Sequence, residues 1–158
     1  MKQVRATGFN HVSISVDNLE EAVRFYSEIL GMEKIPTFNL ASPAQFLRVG
    51  DLQLHLVQRR VPAPEYHHFA LNVDNFEAIY LKAEELNLWD DKGLFPHLRE
   101  MPDGAVQMYI RDPSGNLIEI DWPDITTLDR SIIPEIKKLS DTVPQTPETR
   151  GATLYLQL

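Results

Sequence analysis

Residues 10–20, NHVSISVDNLE, return at residues 67–77 as HHFALNVDNFE, at a constant offset of 57. A chain that repeats itself at this length is built from two copies of one supersecondary unit. In both copies apolar residues alternate with polar ones: Val12, Ile14 and Val16 against His11, Ser13 and Ser15, then Phe69, Leu71 and Val73 against His68, Ala70 and Asn72. That period of two predicts a strand with one apolar face and one face carrying a histidine. Asp17 with Glu20, and Asp74 with Glu77, have the spacing of a capping box, so a helix is expected directly after each strand.

The helices follow in the pattern. Leu19, Ala22, Val23, Tyr26, Ile29 and Leu30 form an apolar stripe that meets Gly31, and Phe76, Ile79, Tyr80, Ala83 and Leu86 form one that ends near Asn87. Three short strands are then predicted in each copy, around Glu33–Phe38, Gln45–Val49 and Leu52–Gln58, and around Gly93–Leu98, Val106–Arg111 and Leu117–Trp122. Hairpin signals at Val49-Gly50-Asp51 and at Asp112-Pro113-Ser114-Gly115-Asn116 separate the last two of each set. The expected fold is α+β: two tandem βαβββ modules, about 8–60 and about 65–123, forming a curved mixed sheet around a cavity within one domain of residues 1–123. Residues 124–158 form a C-terminal extension.

A second correspondence locates chemistry. Placing His55 on Glu119, at an offset of 64, sets Leu54 on Ile118 and Leu56 on Ile120. Two related modules put equivalent residues at equivalent places, so His11 pairs with His68 and His55 with Glu119. Each flanking apolar residue points to the helix-covered face, which sends the four polar side chains to the opposite one. A carboxylate there is costly to bury unless a cation compensates it. One divalent metal ion, zinc, nickel, manganese or iron(II), bound by His11, His68 and Glu119 with His55 as fourth ligand, is the expectation that follows. A lone strand histidine is ordinarily a core or rim residue; four ligand-competent residues at repeat-equivalent positions are what favour the metal. His67 and His97 have no place in this pattern and receive no role.

Composition narrows the remaining classes. With no cysteine, any metal is held by nitrogen and oxygen, and disulfides are excluded. A net charge of −8 without a sustained Lys/Arg cluster provides no footprint for a nucleic acid. No run approaches the roughly 18 apolar residues of a membrane span, and the start MKQVRATGFNHVSISV lacks a signal-peptide core, so a cytoplasmic location is expected.

The stretches GFNHVSISVDNLEEAVRFYSEILGM, HHFALNVDN and YIRDPSGNLIEI together resemble the vicinal oxygen chelate superfamily, which includes glyoxalase I, extradiol dioxygenases, epimerases, fosfomycin-resistance proteins and bleomycin-binding proteins. The resemblance covers roughly residues 8–123. It implies metal ligands at His11, His68 and Glu119, and it puts His55 where glyoxalase I enzymes carry a further ligand, commonly glutamate. Tyr109 matches a position that lines the substrate site in several members, and Arg48, Arg111, Gln45 and Gln107 are further lining candidates. The implied substrate is a small molecule that chelates the ion through two neighbouring oxygens, and the implied assembly is a homodimer.

The number of ligands separates the reactions. Four leave an octahedral ion two open positions, which suits glyoxalase-like isomerisation or lyase chemistry with Glu119, His55 and Tyr109 as catalytic candidates. Three leave a facial triad open to substrate and dioxygen on iron(II), the extradiol alternative. A metal-free antibiotic-binding protein is the reading from another class. A fosfomycin-type transferase is disfavoured by the acidic balance. In the extension, a short helix is expected at Pro134–Leu139 and an edge strand at Ala152–Leu158. The segment can cover a cavity mouth or a neighbouring subunit.

Overall fold

The computed structural model describes residues 4–93 and 96–156. The chain divides into two compact units, Met1–Ala63 and Pro64–Leu158.

In the first unit, β1 (His11–Val16) leads into α1 (Leu19–Glu28), followed by β2 (Glu33–Ile35), β3 (Ala44–Val49) and β4 (Leu52–Gln58). The sheet order is β1-β4-β3-β2, with β1 parallel to β4 and the other pairs antiparallel. In the second unit, β5 (His68–Asn72) leads into α2 (Phe76–Leu86), followed by β6 (Leu98–Glu100), β7 (Val106–Arg111) and β8 (Leu117–Trp122). Its order is β5-β8-β7-β6, with β5 parallel to β8. Both units are therefore βαβββ. In hydrogen-bonding terms the expected mixed sheet is two sheets, one to each unit.

The registers obey the two offsets read from the sequence. His11 faces Gln53 and Ser13 faces His55 across β1 and β4. Their counterparts, His68 with Leu117 and Ala70 with Glu119, face each other across β5 and β8. Cross-strand neighbours share a face, so the pleat delivers the polar residues of paired strands to one side. The other side forms the core. Leu47, Leu54 and Leu56 are buried in the first unit with Ala22, Val23, Phe25 and Tyr26 of α1. Met108, Ile110, Ile118 and Ile120 are buried in the second with Phe76, Ile79 and Ala83 of α2.

Several boundaries differ from expectation for identifiable reasons. The helix caps are Asn18 and Asn75, not Asp17 and Asp74: Asn18 Oδ1 accepts from the Glu21 amide at 3.2 Å and Asn75 Oδ1 from the Ala78 amide at 2.9 Å. Asn and Asp are near-equal N-caps, so adjacent Asp-Asn pairs leave the choice to the entry angle of the chain. Glu77 turns instead to the extension and accepts the Asp129 amide at 2.9 Å. α2 stops at Asn87, whose φ of 51° is the left-handed cap that Asn tolerates better than most non-glycine residues. β2 is cut short before Pro36, which has no N–H to give the ladder. The strand expected at Gly93–Leu98 is Leu98–Glu100; Leu94 and Phe95 lie outside the described residues. A turn fixes this shift, since the Gly104 amide bonds the Met101 carbonyl at 2.9 Å with φ at Gly104 of 87°.

The extension is irregular rather than helical at Pro134. Lys137–Lys138 form β9, parallel to β6 at the edge of the second sheet, and α3 (Leu139–Thr142) follows. No strand is present at residues 152–156, where an edge strand was expected; Gln157 and Leu158 lie outside the described residues. The Tyr155 amide bonds the Thr153 hydroxyl at 3.0 Å, a local turn that competes with extended pairing. No helix among the described residues is long and apolar enough to cross a membrane.

Candidate metal centre

The expected ligands occur as two pairs, one in each unit. In the first, the His11 and His55 rings stack with centroids 4.2 Å apart and planes 14° apart, and Phe46 stacks on His55 at 3.5 Å. The register explains the stack: Phe46 and Ser13 flank His55 on the adjoining strands, and His11 lies one same-face step along β1 from Ser13. Burial, and secondarily the neighbouring His11, hold the His55 pKa below its ordinary value, so the neutral form able to ligate is favoured.

In the second unit, His68 Nε2 lies 3.1 Å from Glu119 Oε2. Glu119 is buried, and its other oxygen accepts from Gln107 Nε2 at 2.6 Å. Gln107 is held in turn: its Oε1 accepts from the Tyr109 hydroxyl at 3.0 Å and from Arg99 Nη2 at 3.1 Å, and Arg99 Nη2 also reaches the Tyr109 oxygen at 3.1 Å. A buried amide whose donor and acceptor ends are both engaged fixes the carboxylate in one orientation. Tyr109 faces Glu119 in register as Phe46 faces His55, so the two pairs have matching surroundings. Burial, chiefly, and the adjacent Glu119 raise the Tyr109 pKa, keeping the phenol protonated.

The donor chemistry fits a borderline divalent ion. Each histidine has one ring nitrogen occupied: His11 Nδ1 by Asn10 Oδ1 at 2.8 Å, His55 Nε2 by Gln53 Oε1 at 2.9 Å, and His68 Nδ1 by the Tyr66 carbonyl at 2.9 Å. Such partners fix ring orientation, as is typical of ligating histidines, and the second nitrogen of His68, Nε2, is the one that faces Glu119. Among the described residues, no three His, Asp or Glu side chains gather closely enough to hold an ion. A pair alone supplies too few donors.

The other candidates separate. Gln107 lies beside Glu119, but Gln45 bonds the Ile35 carbonyl and the Thr37 hydroxyl near α1, on the side away from His55. Arg111 is structural: it pairs with Asp90 at 2.8 Å and donates to the Gly115 and Glu65 carbonyls at 2.6 and 3.1 Å. Arg48 is exposed on β3, in register with Gln53 and so on the strand face that carries His55. His97 stacks on Trp89 at 4.7 Å. Asp121 was missed. Two positions after Glu119 it shares that strand face, is buried, and has its pKa pushed up to about 7 by burial first and then by the Glu119 charge. The alternation Ile118-Glu119-Ile120-Asp121 carried that signal, without a repeat mate to draw attention to it.

Comparison with known proteins agrees with this architecture. A sequence model of the glyoxalase/bleomycin resistance protein/dioxygenase superfamily matches residues 8–120. The chain belongs to that superfamily. It is 32% identical to the uncharacterized protein YwbC of Bacillus subtilis (strain 168) over 124 residues, 72% of this chain and 96% of that one. It is 26% identical to the metallothiol transferase FosB of Shouchella clausii (strain KSM-K16) over 121 residues, 72% of this chain and 78% of the relative. The fold matches the lactoylglutathione lyase of Agrobacterium tumefaciens with a TM-score of 0.55 at 23% identity, covering 73% of this chain and 93% of the lyase. The superfamily match spans the first module and all but the last residues of the second, and the whole extension, residues 124–158, lies beyond it.

Proposed function

We propose that the protein is a metal-dependent enzyme in which His11, His68 and Glu119, with His55 as fourth ligand, hold one divalent ion, and that its substrate is a small molecule chelating that ion through two neighbouring oxygens. The observation that carries this reading is the buried Glu119 carboxylate, clamped by Gln107 and facing His68 Nε2 at 3.1 Å, in a position repeat-equivalent to the His11–His55 pair. When bound, such an ion acts as a Lewis acid, stabilising negative charge on a substrate oxygen. The chain's own groups orient the carboxylate ligand, keep Tyr109 protonated as a donor, and supply His55 as ligand or base.

Glyoxalase-like isomerisation or lyase chemistry is the reaction class favoured, because burial and then His11 lower the His55 pKa, which favours a ring able to serve as fourth ligand, and the ring stacks on His11. The named transferases among the relatives favour a second reading, transfer of a thiol to a small oxygen-rich molecule. Against it, Glu119, Asp121 and Asp103 lie together with Arg99 as the nearby cation, a poor setting for a phosphonate.

The experiment is metal titration of the purified protein with zinc, nickel, manganese and iron(II), followed by assay of hemithioacetal isomerisation with methylglyoxal and a low-molecular-weight thiol. The reading expects one ion per chain and turnover that disappears on chelation. Oxygen uptake with a catechol, dependent on iron(II), would move the assignment to the extradiol class. Tight binding of bleomycin by protein that takes up no metal would replace it with the sequestering class.

A further inference from the structure

The C-terminal extension returns to the polar face of the second sheet. Leu154 donates its amide to Asp103 Oδ2 at 3.2 Å, while Asp103 Oδ1 accepts the Ala105 amide at 3.1 Å beside the start of β7. This tether sets Tyr155 within electrostatic reach of Asp121, Asp103 and Glu119. The Tyr155 hydroxyl is buried there without a hydrogen-bond partner. So is one oxygen of Asp121, a side chain more than nine-tenths buried.

A buried donor and a buried acceptor left open on one face are costly unless something else completes them. A ligand hydroxyl has the required complementarity, since its oxygen accepts from a phenol while its hydrogen goes to a carboxylate. Burial, and then the three carboxylates, push the Tyr155 pKa up to about 12, so the phenol keeps its proton. We propose that Tyr155 and Asp121 form a polar subsite for a hydroxyl group of the substrate, Tyr155 O–H donating and Asp121 Oδ1 accepting. This rests on the metal-enzyme reading and narrows it to substrates with a further hydroxyl beside the two chelating oxygens. Tyr155 is then a specificity residue supplied by the extension.

The test compares 1,3-dihydroxyacetone with hydroxyacetone, neutral probes that share a carbonyl and an α-hydroxyl and differ by one hydroxyl. Binding is followed by NMR chemical-shift titration on zinc-loaded and metal-free full-length protein. Wild type is expected to prefer dihydroxyacetone by about fivefold to tenfold, the value of one hydrogen bond to a buried group. Tyr155→Phe should erase the preference while leaving hydroxyacetone and zinc affinity within about twofold, which a merely structural role would not do. Deletion of residues 154–158 should match it. A preference absent in wild type, or unchanged by Tyr155→Phe, overturns the subsite. Tighter binding of both probes after the deletion also overturns it, since the segment then blocks the site. If wild type binds no metal, the metal-enzyme reading fails, and the preference measured on the metal-free protein decides the subsite by itself.

Discussion

Glu119 owes its place to its neighbours as much as to its own strand. Gln107 holds one carboxylate oxygen at 2.6 Å, and Tyr109 and Arg99 hold Gln107. Gln107→Leu removes that clamp and leaves the buried carboxylate with one partner fewer. Zinc affinity is expected to fall by about 10- to 100-fold, the usual cost of losing an outer partner of a ligand, measured by competition with a chromogenic chelator. Asp121 carries a pH signature of opposite sign to an ordinary carboxylate. Its folded-state pKa of about 7 stands above its ordinary 3.8, so the folded state holds this proton more tightly. The unfolded chain loses the proton first as pH rises. The stability it contributes at low pH therefore drains away from about pH 4 to about pH 7 and is gone above that. Asp121→Asn should stabilise the metal-free protein by an amount that grows across this window and is constant beyond it, read from melting temperatures at pH 4, 6 and 8. A gain that is the same at all three would contradict this account.

Asn75 caps α2 and Asn87 closes it. Asn75→Ala strips an acceptor from the Ala78 amide and should cost about 1 kcal/mol, a fall in Tm of roughly 2–4 °C for a chain of this size. The modules were legible because strand and helix periodicities recur at fixed offsets, and the register of His11 with Gln53 and of His68 with Leu117 obeys those offsets. The caps were displaced by one residue because Asp17-Asn18 and Asp74-Asn75 each offer two competent caps. β6 lies later than expected because the turn at Met101-Pro102-Asp103-Gly104, closed by the Gly104 amide on the Met101 carbonyl, sets the hairpin. The face of Glu119 was readable from alternation alone. Its clamp was not, because Gln107 and Arg99 have no repeat mates with the same chemistry. The extension was least legible: Ala152–Leu158 alternates like a strand, yet a hydroxyl turn at Thr153 and the tether to Asp103 hold residues 153–155 elsewhere.

In the whole molecule, each unit supplies two of the expected ligands, His11 and His55 in the first and His68 and Glu119 in the second. The open sheet edges give a physical reason for two copies to associate. A homodimer is expected by sedimentation velocity at micromolar concentration, and a monomeric mass there removes that expectation. The measurement that bears most directly on the metal centre is metal content by plasma mass spectrometry after gel filtration, for wild type and for the single substitutions His11→Ala, His68→Ala, Glu119→Gln and His55→Ala. The account predicts one ion per chain in wild type, loss of at least nine-tenths of it in the first three, and a partial loss at His55 that marks a fourth ligand. Full metal content in any one of the first three would contradict the ligand set.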